Sequence, residues 1–209
     1  MRKKILFTFL TLCAASIGYS QDKNPLGFQA EFGYSLGISN SKHEVYKFLI
    51  TPGVNINDNM FLGVGIGYLN FSNGDYYTSA HDFKTTFSSL PLYANFKYST
   101  ELGRYLSPFI GVKAGYQLIN KNKLIDYQDA SFVYNYDGGI FLSPEIGVNF
   151  DFVKNSKLFL ALTYDCLGYK IKSESSFFEL TNNNNNGSII KNTTNKIKSG
   201  IGLTIGVSF

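Results

Sequence analysis

Two short segments carry a hydroxyl, an imidazole and a carboxylate within four residues. They are Ser41-Lys42-His43-Glu44 and Ser79-Ala80-His81-Asp82, and they hold both histidines of the chain. A nucleophile, a base and an acid do hydrolytic chemistry when they lie in hydrogen-bond reach. On an extended strand, Ser and His two residues apart share one face. Both segments fall near the ends of polar connections, where such side chains ordinarily meet water, so neither is expected to be catalytic. Asp75, Asp82, Asp126, Asp129 and Asp137 are also in connections and lack the order of a calcium loop. Cys166 and two distant histidines give no zinc spacing. Gly63-Val64-Gly65-Ile66-Gly67 sits inside an apolar alternation instead of between a strand and a helix, so it is no phosphate loop. No catalytic residue, metal site or cofactor is expected.

The more informative charges lie inside alternating segments. Glu31, Lys47, Lys97, Lys113, Glu145, Asp151, Asp165 and Lys198 each occupy the polar row of a period-2 pattern. If that row faces a closed interior, the charges must pair, because an unpaired buried charge is very costly. Counting back across the connections puts Lys113 near Glu145 and Asp165 near Lys198, a structural network rather than an ion path.

Eight such segments run through the chain. The apolar rows begin at Phe28, Tyr46, Leu62, Leu90, Ile110, Leu142 and Leu158, and the last runs from Ile197 to Phe209. Nothing between them reads as a helix, and the even count suits an up-and-down barrel. Connections after the second, fourth and sixth segments are short, around Asn57-Asp58-Asn59, Thr100 to Arg104 and Lys154 to Ser156. Those after the third, fifth and seventh are long and polar: Ser72 to Asp82, Asn120 to Asp137 and Ser173 to Asn195. Short turns on one side and long loops on the other fit a transmembrane barrel.

The second row of each segment decides which face is which. It holds Gly33, Gly37, Gly53, Gly63, Gly65, Gly67, Gly111, Gly115, Gly147, Gly200, Gly202 and Gly206. A soluble, lipocalin-like cup would show that row to water as Lys, Glu and Thr. Small residues instead belong in the crowded interior of a narrow barrel, with the bulky row turned to hydrocarbon. Eleven residues at about 3.3 Å each, tilted ~40°, span roughly 28 Å, enough for the lipid-facing band. Tyr46, Tyr68, Tyr116 and Tyr164 then form an outer girdle, and Phe28, Tyr98, Phe152 and Phe209 an inner one. Pro52, Pro91 and Pro144 remove ladder donors, so bulges or irregular stretches are expected there, whereas Pro108 can begin a strand.

The composition agrees. In 209 residues there are 19 Phe, 15 Tyr and 20 Gly, and only 16% of residues are charged. That much aromatic surface argues against disorder, and two cysteines cannot supply a disulfide scaffold. The net charge of +4 owes three units to Arg2, Lys3 and Lys4, leaving 16 basic against 15 acidic residues and no nucleic-acid stripe. Those three cations precede an apolar run from Ile5 to Ile17 and the small residues Gly18 and Ser20. This is a secretory signal peptide over residues 1–20, which takes Cys13 with it. Residues 21–26 form a short periplasmic lead and 27–209 the barrel.

With the signal peptide, Leu90-Pro91-Leu92 to Tyr98, Phe109-Ile110-Gly111-Val112-Lys113-Ala114-Gly115-Tyr116 and the closing Gly202-to-Phe209 strand, the chain resembles the small eight-stranded outer-membrane β-barrels of the OmpX and OmpA kind. The resemblance covers nearly all of the mature chain. It implies an all-β, closed, eight-stranded antiparallel transmembrane barrel with a side-chain-filled interior, in the outer membrane of a Gram-negative envelope. It implies no shared activity. The terminal Phe209 resembles the signal read by the barrel-assembly machinery, although Val207 departs from the aromatic often found there. Lipid A-deacylating barrels place His before Ser, the reverse of the order here, so a lipid-modifying enzyme is the lesser alternative. The expected partners are outer-membrane lipid, the assembly machinery and an extracellular partner, with the chain a monomer. Tyr76, Tyr77, Tyr127, Tyr134 and Tyr136 are the candidate recognition residues of the external loops.

Overall fold

In the computed structural model, residues 26–38, 43–73, 77–78, 81–82, 85–102, 106–119, 121–127, 130–153, 156–177 and 188–209 are described, and every element in them is a strand. They are β1 (Leu26–Gly37), β2 (His43–Asn57), β3 (Met60–Asn73), β4 (Tyr77–Thr78), β5 (His81–Asp82) and β6 (Thr85–Ser99). After them come β7 (Leu106–Ile119), β8 (Lys121–Tyr127), β9 (Ala130–Asp137), β10 (Gly139–Val153), β11 (Ser156–Phe177) and β12 (Ser188–Ser208). The proposed signal peptide lies outside the described residues.

Eight of these strands close a wall in the order β1–β2–β3–β6–β7–β10–β11–β12, and β12 returns to β1. Every pairing is antiparallel between sequence neighbours around the ring. Closure leaves no edge inside the wall, so each backbone donor and acceptor there has a neighbour strand, as hydrocarbon demands. The stagger follows from the register. Gly27, Gly53, Gly63, Asn95, Lys113 and Ser143 stand side by side across six strands. Ser143 donates to Asp165 on the next strand, and Asp165, Gly200 and Gly37 complete the circuit. The row that leaves β1 at Gly27 therefore returns to it at Gly37. For eight strands that stagger means a tilt of roughly 40° and a narrow barrel that side chains fill.

At the three prolines the expected irregularity takes the form of a local break in one ladder, without a bulge. Across Pro52 the β2–β3 ladder passes from Ile50↔Ile66 to Gly53↔Gly63 with its register unchanged. Across Pro91 the β3–β6 ladder runs from Leu69↔Ser89 to Ile66↔Leu92, and across Pro144 the β10–β11 ladder from Leu142↔Cys166 to Glu145↔Thr163, again without a slip. Each proline interrupts one ladder locally and keeps its pairing on the other side, with Phe28, Gln117 and Val112 respectively. The register shifts fall instead beside the short turns, at Asn55/Asn57 and Asp151/Val153.

The long connections differ too. Much of Asn120 to Asp137 and of Ser173 to Asn195 is strand. β8 pairs with β9, β9 with the outer half of β11, and β11 with β12 along an unbroken 21-residue β12. In β12 the run Lys191-Asn192-Thr193-Thr194-Asn195 is polar and exposed on both rows. The apolar alternation that marks the wall is therefore missing from that run.

Candidate functional site

The two rows of each strand point as the glycines require. Leu62, Val64, Ile66, Leu160, Leu162, Leu203 and Ile205 face outward, with Val64 52% exposed, while Glu31, Lys47, Lys97, Lys113, Glu145 and Asp165 are buried inside. A continuous exposed band of this size is stable only against hydrocarbon. Tyr46, Tyr68, Tyr116 and Tyr164 stand exposed toward the outer end of that band, and Phe28, Tyr98 and Phe209 toward the inner end. The side chain of Phe152 lies outside the described residues.

Inside, glycines and large side chains alternate across the lumen. A Cβ on Gly65 would run into the Tyr93 ring, and one on Gly206 would meet Phe159. The absent side chains are the space these rings occupy, and the Tyr93 hydroxyl reaches Thr51 Oγ1 at 2.8 Å. Sequence reasoning assigned the inward row to glycine and charge but left out its share of the aromatics. Phe61, Phe71, Phe87, Phe141, Phe159 and Tyr169 are all buried. Their signal was available, since Phe61 and Phe71 lie an even number of residues from Gly63, Gly65 and Gly67 on the same strand.

The ionic groups form two clusters. Lys113, 1% exposed, stands 2.5 Å from Glu145 Oε2 and 3.1 Å from Glu31 Oε2. Lys47 Nζ donates to Asp165 Oδ1 at 2.9 Å and Oδ2 at 2.8 Å, and to Thr163 Oγ1 at 2.8 Å. Ser143 donates to Asp165 at 2.6 Å and Ser35 donates to the same carboxylate. The expected Lys113–Glu145 contact is present. Asp165, expected beside Lys198, takes Lys47 instead, and Lys198 stands opposite Leu167, further out along the wall. Asp151 is exposed at the inner rim, 3.7 Å from Lys157, and not part of the buried set. Lys97 is held against ring faces, its Nζ 3.6 Å from the Phe109 centroid and 4.0 Å from that of Phe159. These are cation–π contacts in a desolvated place, where they are strongest.

Toward the outer end the filling becomes apolar. Val45, Leu49, Leu69, Phe71, Phe87, Ile119, Tyr136, Phe141, Leu167, Tyr169 and Ile171 belong to one buried cluster. Phe87 is its hub, stacked on Phe71 at 4.7 Å and Tyr136 at 5.7 Å and edge-on to Tyr169 at 5.6 Å. Tyr136, a candidate for external recognition, is therefore 9% exposed and part of this plug. Its strand, β9, sets it against Phe87 and Tyr169, which a loop reading of that segment missed. Tyr76 and the side chains of Tyr77, Tyr127 and Tyr134 lie outside the described residues.

The possible hydrolytic set on β2 is divided by the strand itself. His43 is buried on the inward face, against the Gly37 backbone, and Glu44 is exposed on the outward one. Neighbouring strand residues point to opposite faces, so this pair cannot act as base and acid. Asp137 is engaged by Lys172 at 2.6 Å. That hydrogen bond and the carboxylate's charge raise the Lys172 pKa, at a position beyond the membrane band.

Above the rim the wall becomes asymmetric. β1 ends opposite Gly200, and Ile38 N donates to Ser199 O at 3.1 Å. From there outward, Ser188–Lys198 of β12 pairs with β11 alone among the described strands, and β8 pairs with β9 alone. β8, β9, β11 and β12 thus form a four-stranded sheet reaching roughly 20 Å beyond Gly168.

No protein-family model matches the sequence, and no curated protein matches it. Solved structures do overlap. The outer membrane protein OprG from Pseudomonas aeruginosa shares 12% identity, with a TM-score of 0.54 over 87% of this chain and 95% of that one. The outer membrane protein AlkL, determined in lipid bilayers, shares 16% identity, with a TM-score of 0.51 over 92% and 91%. Neisserial surface protein A shares 17% identity over 88% and 96%, with a TM-score of 0.49. A closed, filled, eight-stranded wall with an outward apolar band, overlapping OprG and AlkL over most of its length, has the fold of the small outer-membrane β-barrels.

Proposed function

We propose that this chain is an outer-membrane barrel, delivered by a signal peptide that is removed, that serves surface interaction or adhesion through its external strands and loops. In this reading it is a monomer, neither an open porin nor an enzyme. The observation that carries it is the four-stranded sheet of β8, β9, β11 and β12, which extends past the rim and, among the described strands, has β8 and outer β12 at its edges. Edge strands of this length are templates for further chains and are normally shortened or blunted when they have no partner. The filled lumen supports the same reading, because it leaves the outer surface as the part free to act. Phe209 is the proposed assembly signal. It lies at the closing seam, where Phe28 N donates to Phe209 O at 3.1 Å and Phe209 N to Phe28 O at 2.9 Å.

The test is to shorten the external sheet by removing 121–134 and 175–190 and to measure attachment of expressing cells to surface polysaccharide, host protein and envelope protein. Attachment is expected to disappear while heat-modifiable gel migration, the mark of a folded barrel, survives. Attachment that persists on the shortened, folded barrel overturns the reading.

A further inference from the structure

The outward lane of β11 runs Tyr164, Cys166, Gly168, Lys170, Lys172 as it leaves the tyrosine girdle. Gly168 interrupts it with no side chain. On one side stands Ile197 of β12, directly opposite in the ladder. On the other stands Ile140 of β10, whose N and Cβ would lie 3.1 and 3.6 Å from a Cβ placed on Gly168. Ile140 is 64% exposed and Ile197 72%, the highest value among the large apolar side chains described. The result is a narrow apolar notch between two exposed isoleucines, with Gly168 itself buried at its base, just beyond the girdle.

Basic groups stand at its outer end. Lys170 is two residues past Gly168 and exposed, and Lys172 follows, with Asp137 as its partner at 2.6 Å. Lys170 is also paired through the backbone with Asp137, and Glu174, two residues past Lys172, is held by Lys191 at 3.0 Å, so the local balance is three cations to two anions. Among the lysines whose side chains are described, those facing outward beyond the girdle are all on β11 or β12. At similar heights the other wall strands show Glu44, Ser72, Thr86 and Ser88. An apolar notch continuous with the lipid-facing band and capped by cations matches an amphiphile with an anionic head, because acyl methylenes meet isoleucine where phosphate meets ammonium.

We propose that this notch seats a phosphate-bearing lipid of the outer leaflet, its first acyl methylenes between Ile140 and Ile197 and its phosphate on Lys170 and Lys172. The inference rests on the outer-membrane reading above. Each lysine near such a headgroup contributes about a fivefold change in binding.

The test uses the full mature chain folded in detergent, titrated with bisphosphorylated lipid A and, in parallel, with the same lipid dephosphorylated, and read by native mass spectrometry. A retained single-lipid adduct is expected for the phosphorylated lipid. K170Q/K172Q should lower its occupancy at least tenfold, and dephosphorylation of the lipid should do the same. K157Q, at the opposite end of the barrel, should leave it unchanged. Gly168→Val, which fills the notch and keeps both lysines, should also lower it, and Ile197→Ser serves the same purpose if the valine variant does not fold. Occupancy that is equal with and without the lysines, or with and without phosphate, overturns the site. Failure of the wild-type chain to show heat-modifiable migration would instead count against the membrane reading.

Discussion

Lys47 on β2 and Asp165 on β11 meet across the lumen with both carboxylate oxygens within 2.9 Å of the ammonium nitrogen. The hydroxyls of Ser35 and Ser143 donate to the same carboxylate, so its charge is enclosed on all sides by donors. Removing the lysine alone leaves a buried, ionised carboxylate. Lys47→Met is expected to cost about 3–5 kcal/mol. Adding Asp165→Asn should restore most of it, because no charge then remains. Urea unfolding of the detergent-folded protein measures both, and a loss under about 1 kcal/mol for the single variant would contradict the pairing.

Lys113 gives an asymmetric case. It serves Glu145 at 2.5 Å and Glu31 at 3.1 Å, so two carboxylates share one cation. Glu31→Gln leaves the shorter pair intact, whereas Lys113→Met leaves two like charges facing each other with no cation between them. The lysine variant is expected to be the less stable by about 2 kcal/mol or more. The comparison is made on the same unfolding curves, and equal losses would mean that Glu31 and Glu145 do not share the ammonium.

How far the chain was legible follows from the physics of its two halves. Within the membrane each strand has one apolar and one cramped face, so Leu62, Val64 and Ile66 against Gly63, Gly65 and Gly67 announce the wall and its orientation. Beyond the membrane both faces meet water, and Lys191-Asn192-Thr193-Thr194-Asn195 reads as a loop although it is an extended strand. Partner choice in the lumen was only partly legible for a different reason. Which lysine reaches Asp165 depends on the stagger of the closed ring, and no pattern along one strand encodes that. A count between neighbouring segments finds Glu145 for Lys113, whose strands are adjacent, but not Lys47 for Asp165, whose strands are separated by β1 and β12.

The exchange of space between glycine and ring is testable at Gly65. A Cβ there overlaps the Tyr93 ring, so Gly65→Val is overpacked by about 1–3 kcal/mol. Tyr93→Ser in the same chain frees the space and removes the clash. The double variant should therefore be more stable than the sum of the single losses predicts. Strict additivity, measured by the shift in the temperature of heat-modifiable migration, would mean that the ring does not occupy that space.

The last expectation concerns conduction. The lumen is closed at two independent levels, by the Phe71–Phe87–Tyr136–Tyr169 stack toward the outer end and by the Lys113 and Lys47 ion clusters beneath it. Eight strands enclose a bore that side chains fill, so there is no annulus around either layer for water to pass. Purified protein in planar bilayers is expected to show no stable channels. Thinning the upper layer with Phe87→Ala and Tyr136→Ala should still give none, since ions would next meet a continuous set of salt-bridged side chains. Adding Lys47→Met and Asp165→Asn to the thinned barrel should likewise give none, because both replacements are close in volume to the originals and the Lys113 cluster stays in place. Stable, large conductance from the unmodified protein would mean that the interior is not filled as described, and the assignment of the extracellular strands as the working part would go with it.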